Sequence, residues 1–323
     1  MNRTLLFFCA VAVLFSGSYL WIQASNSGNT LPSTAPPINP NQVAILHWYA
    51  ANQTTEFTAG AGSEGVAFDG ANIWIGNFYD NTVTELKASD GTVIRTVPAG
   101  TAPFALAYDG ANIWVSDFHG NTVTKLQAST GSLLGTFSVG ANPANLVFDG
   151  KNIWVSNFNG NSVTKLRASD GSVLGTFTVG NNPNGIAFDG TYIWVANEFS
   201  DSLMKLAPDG RILGQFHTGQ QPWGVAFDGT HIWITNQNSN SVAEFDTNGS
   251  VVGTFFVGKG PRGLAFDGTY IWTANNVSGT TTRLLVSDGT QQRTFTVGSL
   301  AQGVAFDGAN VWVANQSGTV TKL

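Results

Sequence analysis

A single residue separates Asp117 from His119 in Asp117-Phe118-His119, a spacing that offers a general base with a carboxylate to orient it. Glu64 and Glu198 are the other acid–base candidates, and Lys259 with Arg262 form a small basic pair able to receive a carboxylate. The favoured reading of His119 and of the basic pair is as exposed loop groups, and His231 falls at a turn on the opposite face. Gly60-x-Gly62-x-x-Gly65 and Gly258-x-Gly260-x-x-Gly263 match the glycine spacing of a dinucleotide loop. That fingerprint works by aiming a helix N-terminus at a pyrophosphate, and no helical pattern follows either copy. Both are read as connecting loops. The only thiol is Cys9, which excludes a Cys-based zinc or iron–sulfur site, and neither a resident cofactor nor a metal-ligand set is expected.

The elements that hold these residues come from an internal repeat. A Phe/Tyr-Asp-Gly step recurs with its Asp at 69, 109, 149, 189, 228, 267 and 307, and a Trp follows five residues after each Asp. Each unit contains four short β-type segments, as in GIAFDG, TYIWVAN, DSLMKL and RILGQFHTG of the fourth copy. A four-stranded meander with both faces apolar must be covered on both sides, and radial stacking does this. The fold class is therefore an all-β, seven-bladed propeller of four-stranded blades. The last VTKL segment, Val320 to Leu323, has no fourth strand after it, whereas a matching segment at about Thr54–Ala59 precedes the first repeat. This N-terminal strand is expected to complete the C-terminal blade and close the ring.

Structural need keeps a residue alike in every repeat, as with the Asp-Gly turn. One asymmetric ligand on the axis instead requires the repeats to differ. Immediately before the inner strand stand Glu64, Phe104, Ala144, Asn184, Trp223, Arg262 and Gln302; four residues after each Trp stand Phe78, Phe118, Phe158, Glu198, Gln237, Asn276 and Gln316. The ligand-binding candidates are Glu64, Phe104, Asn184, Trp223, Arg262, Gln302, Phe118, Phe158 and Glu198. Phe104 and Trp223 can stack a sugar ring or other planar group. The competing reading is that these are exposed loop positions free to vary. Asn77, Asp117, Asn157, Asn197, Asn236, Asn275 and Asn315, three after each Trp, repeat too faithfully for a specific site and are read as caps of the strand end.

With 14 basic against 20 acidic residues and 11% charged overall, no electrostatic grip on nucleic acid is expected. The 42% hydrophobic content excludes a disordered chain. Residues 1–24, with the apolar run Leu5 to Phe15, read as a signal peptide, 25–42 as a Ser/Asn/Pro-rich linker and 43–323 as the propeller. The expected location is secreted or in the periplasm and cell envelope. The chain is expected to be a monomer, touching a membrane only if the N-terminal segment is retained.

The pattern G-[VIL]-A-F-D-G-x-x-I-W-V-x-N followed by VTKL resembles the NHL and YVTN type of bacterial β-propeller, in particular the streptogramin B lyase-like (virginiamycin B lyase-like) propellers. The resemblance covers about Val43 to Leu323. It implies a magnesium-assisted elimination opening a cyclic depsipeptide, with a His just before an inner strand and a Glu ending the Trp strand of the same blade. The matching pairs here are Glu64 with Asn77, Phe104 with Asp117, Ala144 with Asn157, Asn184 with Asn197, Trp223 with Asn236, Arg262 with Asn275 and Gln302 with Asn315, none of which is His with Glu. The sequence thus favours a binding module for a protein segment or an envelope glycan. The alternative is a lyase or hydrolase acting on a cyclic ester or polysaccharide with a divalent cation such as magnesium, through Glu64, Asp117, His119 or Glu198.

Overall fold

Each repeat alternates apolar side chains across short extended segments, so both faces of its sheet must be covered, and seven sheets stacked about one axis achieve this. The computed structural model of the chain describes residues 55–323; the expected signal segment, linker and residues 43–54 lie outside them. Blade one is the antiparallel meander Ser63–Phe68, Asn72–Asn77, Thr82–Lys87 and Val93–Pro98. Blades two to six repeat this plan from Pro103, Pro143, Pro183, Pro222 and Pro261. Among the described residues the only helical segment is one 3-10 turn, Glu198–Ser200.

Blade seven contains Ala301–Phe306, Val311–Asn315 and Thr319–Lys322, and its fourth strand is Thr55–Thr58, with Phe57 opposite Val320. The closure expected from the repeat count is thus present, and no blade is left with an open third strand.

The Asp and Trp of each repeat are tied by one carboxylate. In blade one, Asp69 Oδ1 accepts the backbone N–H groups of Ala71 (2.9 Å) and Asn72 (2.7 Å), while Oδ2 accepts the Trp74 indole N–H at 2.7 Å. The indole bond recurs in all seven blades. Each of these Trp rings is buried between blades, Trp74 clustering with Ile113, Val115 and Leu126 of blade two. The turn thus fixes the side chain that glues one blade to the next.

The inner strands approach so closely that small residues are required. A Cβ on Gly185 would lie 2.2 Å from the Trp223 carbonyl oxygen of the next blade, and one on Gly263 would lie 2.3 Å from that of Gln302. This crowding leaves only a narrow cavity on the axis.

Candidate functional site

The loop entering each inner strand is held by the blade before it. Asn81 Oδ1 accepts the Ala102 N–H (2.8 Å), Asn121 that of Asn142 (2.8 Å) and Asn161 that of Asn182 (2.9 Å). These bonds fix the backbone just ahead of Phe104, Ala144 and Asn184, so the unlike side chains are carried on a rigid frame. They converge on an axial cavity of about 120 Å³ lined by Glu64, Phe104, Asn145, Trp223 and Gln302 together with inner-strand backbone.

One side of this face is aromatic. Phe104 and Phe118 have ring centroids 5.4 Å apart, Phe78 and Phe104 6.3 Å, and Phe118 and Phe158 6.1 Å. Trp223, from blade five, reaches across the axis to within 6.5 Å of the Phe104 centroid.

The other side is a polar network. Arg262 lies 4.4 Å from the Trp223 ring centroid, donates from Nε to Gln237 Oε1 at 3.2 Å and from Nη1 to Gln302 Oε1 at 2.9 Å. Gln302 is buried, and its Nε2 has no protein acceptor. Glu64 accepts a bond from Gln316 Nε2. Asn184 donates to Glu198 Oε2 at 3.2 Å and accepts from Asn145 Nδ2 at 2.8 Å.

Burial dominates the ionisation of these acids. It lifts the Glu64 carboxyl to about 7, against the downward pull of the Gln316 bond and the Arg262 charge. Burial also raises Glu198, opposed by the Asn184 bond and by Arg262. Arg262 is itself lowered by burial and held up by both carboxylates.

The structure brings together Glu64, Phe104, Asn184, Trp223, Arg262, Gln302, Phe118, Phe158 and Glu198 on this one face. It does not assemble Asp117 with His119. Asp117 is fully buried and accepts bonds from the Thr122 and Thr124 hydroxyls, both at 2.8 Å, whereas His119 is exposed beside Phe78 and Phe118. The Asp117–His119 dyad weighed as an alternative in the sequence is thus not formed, and the two residues take the favoured places of a strand-end cap and an exposed loop histidine. Its neighbours in the ring behave alike: Asn157 Nδ2 donates to Ser162 and Thr164, and its Oδ1 accepts the Gly140 N–H. The basic pair also divides, with Arg262 in the network and Lys259 exposed.

Sequence reasoning missed Asn145. Its signal was present, because the equivalent positions are Gly65, Ala105, Gly185, Gly224, Gly263 and Gly303, and an Asn among them is the odd member.

The donor set does not fit a magnesium ion at this place. Its two buried carboxylates, Glu64 and Glu198, share the field of Arg262, which already supplies the balancing positive charge. Among the described residues, the single group of three metal-ligand side chains lies elsewhere.

Comparison with known proteins places this geometry on a familiar scaffold. No family model matches the chain, and no curated protein sequence does. Solved structures do match: virginiamycin B lyase from Staphylococcus aureus superposes with a TM-score of 0.73 over 84% of this chain and 98% of that one, at 18% identity. A streptogramin B lyase structure gives 0.73 over 84% and 97%, also at 18% identity. The fold resembles streptogramin B lyase. The same fold is matched by Kuenenia stuttgartiensis hydrazine synthase, with a TM-score of 0.71, 18% identity, and 81% of this chain against 95% of that chain. The shared feature is the propeller.

Proposed function

We propose that this chain is an exported binding module that takes the end of a neutral glycan of the cell envelope into its axial face. The observation that carries the reading is the Phe104–Trp223 pair spanning an axis otherwise walled by amides and a neutralised charge cluster. Sugar rings present an apolar face that stacks on aromatic side chains and hydroxyls that need both donors and acceptors. Asn145 and Gln302 line the cavity and carry both kinds of group, with Asn184 and Gln316 bonded beside them. Arg262 is balanced by Glu64 and Glu198, which argues against a ligand chosen by its charge. A cavity of about 120 Å³ admits one ring or less, so the rest of the chain lies over Phe118 and Phe158.

Titration with a panel of envelope oligosaccharides tests this, using the Trp223→Ala, Phe104→Ala double variant as the control. Saturable binding to an oligosaccharide, lost in the double variant, is the expected result. Binding that survives the double variant, or capture of peptide segments alone, would sink it. The apolar run Leu5 to Phe15 supports export to the periplasm or medium, with membrane contact only through that segment if it is retained. Nucleic acid is not a partner on this reading, and the chain works as a monomer.

A second reading is favoured by one observation, the Glu64 carboxyl held at about 7 inside the cavity. A group that titrates near neutrality suits general acid–base work. On this reading the chain is a lyase or hydrolase of a cyclic ester or polysaccharide, and Glu64 moves the proton. Turnover by the wild type that disappears in Glu64→Gln supports it; turnover that persists overturns it.

A further inference from the structure

The face opposite the axial site carries a second repeated feature, a cation over the buried Trp in five of the seven blades. Lys125, Lys165, Lys205 and Lys322 place Nζ 4.7–5.1 Å from the centroids of Trp114, Trp154, Trp194 and Trp312. Each of these lysines also donates to a carbonyl of the next blade, those of Ala168, Pro208, Thr247 and Ala88. Arg283 fills the same place in blade six. Blade one has Glu85 instead, but Arg95 on the neighbouring strand pairs with it at 2.7 Å and Asn72 donates to it at 2.8 Å.

Blade five departs from this rule. Opposite Trp233 stands Glu244, and the position that holds Arg95 in blade one is Gly253. Glu244 is buried, with a side chain 6% exposed, and its ionic partner is His231, whose Nδ1 lies 2.9 Å from Oε1. His231 Nδ1 is also 3.9 Å from Asp228 Oδ2. Elsewhere the His231 position is Asn or Tyr, so the pairing of a histidine with the second carboxylate is particular to this blade. Beside Glu244 and Gly253 lies a cavity of about 460 Å³, also lined by Asp228, His231, Val286, Ser287 and Asp288. The Val286 carbonyl, equivalent to those that receive the lysines, meets no ammonium here.

We propose that Asp228, His231 and Glu244 form a binding site for a first-row transition-metal dication, with Zn²⁺ as its simplest occupant. One ligand atom from each residue lies within 4.8 Å of the others. Ligands at 2.0–2.2 Å from a tetrahedral zinc stand roughly 3.4 Å apart, and the two measured distances to Nδ1 bracket that value. An imidazole nitrogen beside two carboxylates selects zinc-like ions over magnesium or calcium, which take oxygen ligands. Asp228 spends one lone pair of Oδ2 on the Trp233 indole and keeps the other. The fourth position faces the open cavity, where a solvent or ligand oxygen completes the shell. The ion thus restores, in blade five, the positive charge that every other blade supplies from a side chain.

The test is equilibrium dialysis and calorimetry of the full chain with Zn²⁺ alone. Wild type is expected to bind one ion more than either of two variants that copy other blades, Glu244→Lys and His231→Asn, whose affinity at this site falls by more than the roughly 10–100-fold lost with an outer-shell partner. X-ray absorption of the bound ion should show mixed nitrogen and oxygen ligation with no sulfur. Because Glu244→Lys could disturb folding, Glu244→Gln is measured with it, and circular dichroism checks each variant. Equal Zn²⁺ binding by wild type and the folded variants, or no binding by wild type, overturns the site.

Discussion

Arg262 stacks on Trp223 at 4.4 Å and simultaneously bonds Gln302 of the next blade, so one side chain joins the aromatic and polar halves of the axial face. Its charge also acts on Glu64 and Glu198, which lie on blades one and four. Five blades, the first and the fourth to the seventh, are therefore coupled through a single guanidinium.

Replacing Arg262 by Ala should move both acids in the same direction. The cation pulls each carboxyl down, so its loss leaves burial unopposed, and Glu64 should titrate above its value of about 7. Glu198 should rise as well. Carbon-13 NMR titration of labelled glutamate reads both midpoints. An unchanged Glu64 midpoint would show that the charges do not communicate across the axis.

Asp117 is predicted to make stability depend on pH. Burial holds its carboxyl at about 6 in the fold, against the pull of the Thr124 and Thr122 bonds, whereas the unfolded chain titrates near 3.8. The native state therefore binds more protons between these values. The stability contribution is fully present below about pH 4, falls as the pH rises towards 6, and is gone above it, a loss of about 3 kcal/mol. Asp117→Asn should remove this slope, because an amide does not titrate and can donate to the two hydroxyls as Asn157 does in blade three. Urea unfolding at pH 4, 6 and 8 measures it, and a slope that survives in the variant refutes the assignment.

Asp149→Ala should show what the repeated aspartate contributes. It removes the acceptor for the Trp154 indole at 2.7 Å and for the backbone N–H groups of Lys151 and Asn152. An unsatisfied indole N–H of a buried Trp costs about 1–3 kcal/mol, and the opened turn adds to that. Denaturant midpoints of the variant and of Lys151→Ala, which keeps the carboxylate, separate this effect from a general tolerance of the loop. Equal midpoints would mean that the carboxylate does not hold the ring.

The physical reach of the sequence differs between these features. The Asp to Trp spacing is legible because one carboxylate bonds both the turn and a ring five residues on, a local relation that repetition makes visible. The seven slots around the axis are legible because the fold brings equivalent positions to one ring, so their unlikeness can be read down the chain. Asp117 is legible as a strand-end cap because its six equivalents are all Asn, whereas its adjacency to His119 is misleading, since the Thr122 and Thr124 hydroxyls hold its carboxylate inward. His231 and Glu244 were not joined because their contact depends on strand register, with Glu244 opposite Trp233. The cation pattern that makes Glu244 unusual becomes visible only once Lys125 and its equivalents are seen over their Trp rings.

Closure of the ring gives the last prediction, because it depends on a strand from the opposite end of the chain. Phe57 lies 5.7 Å from Trp312, as Phe177 lies 5.8 Å from Trp154 inside blade three. Each ring also covers a turn glycine of the next blade: a Cβ on Gly91 would fall 2.2 Å from Phe57, and one on Gly210 would fall 2.1 Å from Phe177. Both rings are half-buried. If the N-terminal strand carries the same load as an internal one, Phe57→Ala and Phe177→Ala should destabilise alike, by about 1–3 kcal/mol each. Phe57→Ala should in addition expose the chain near Thr55 to protease, because the strand it anchors has no covalent neighbour in blade seven. Denaturation of both variants with limited proteolysis of each makes the comparison. A near-zero cost for Phe57→Ala beside a full cost for Phe177→Ala would mean that blade seven stands on three strands, with the ring held shut by the Trp312 contacts alone.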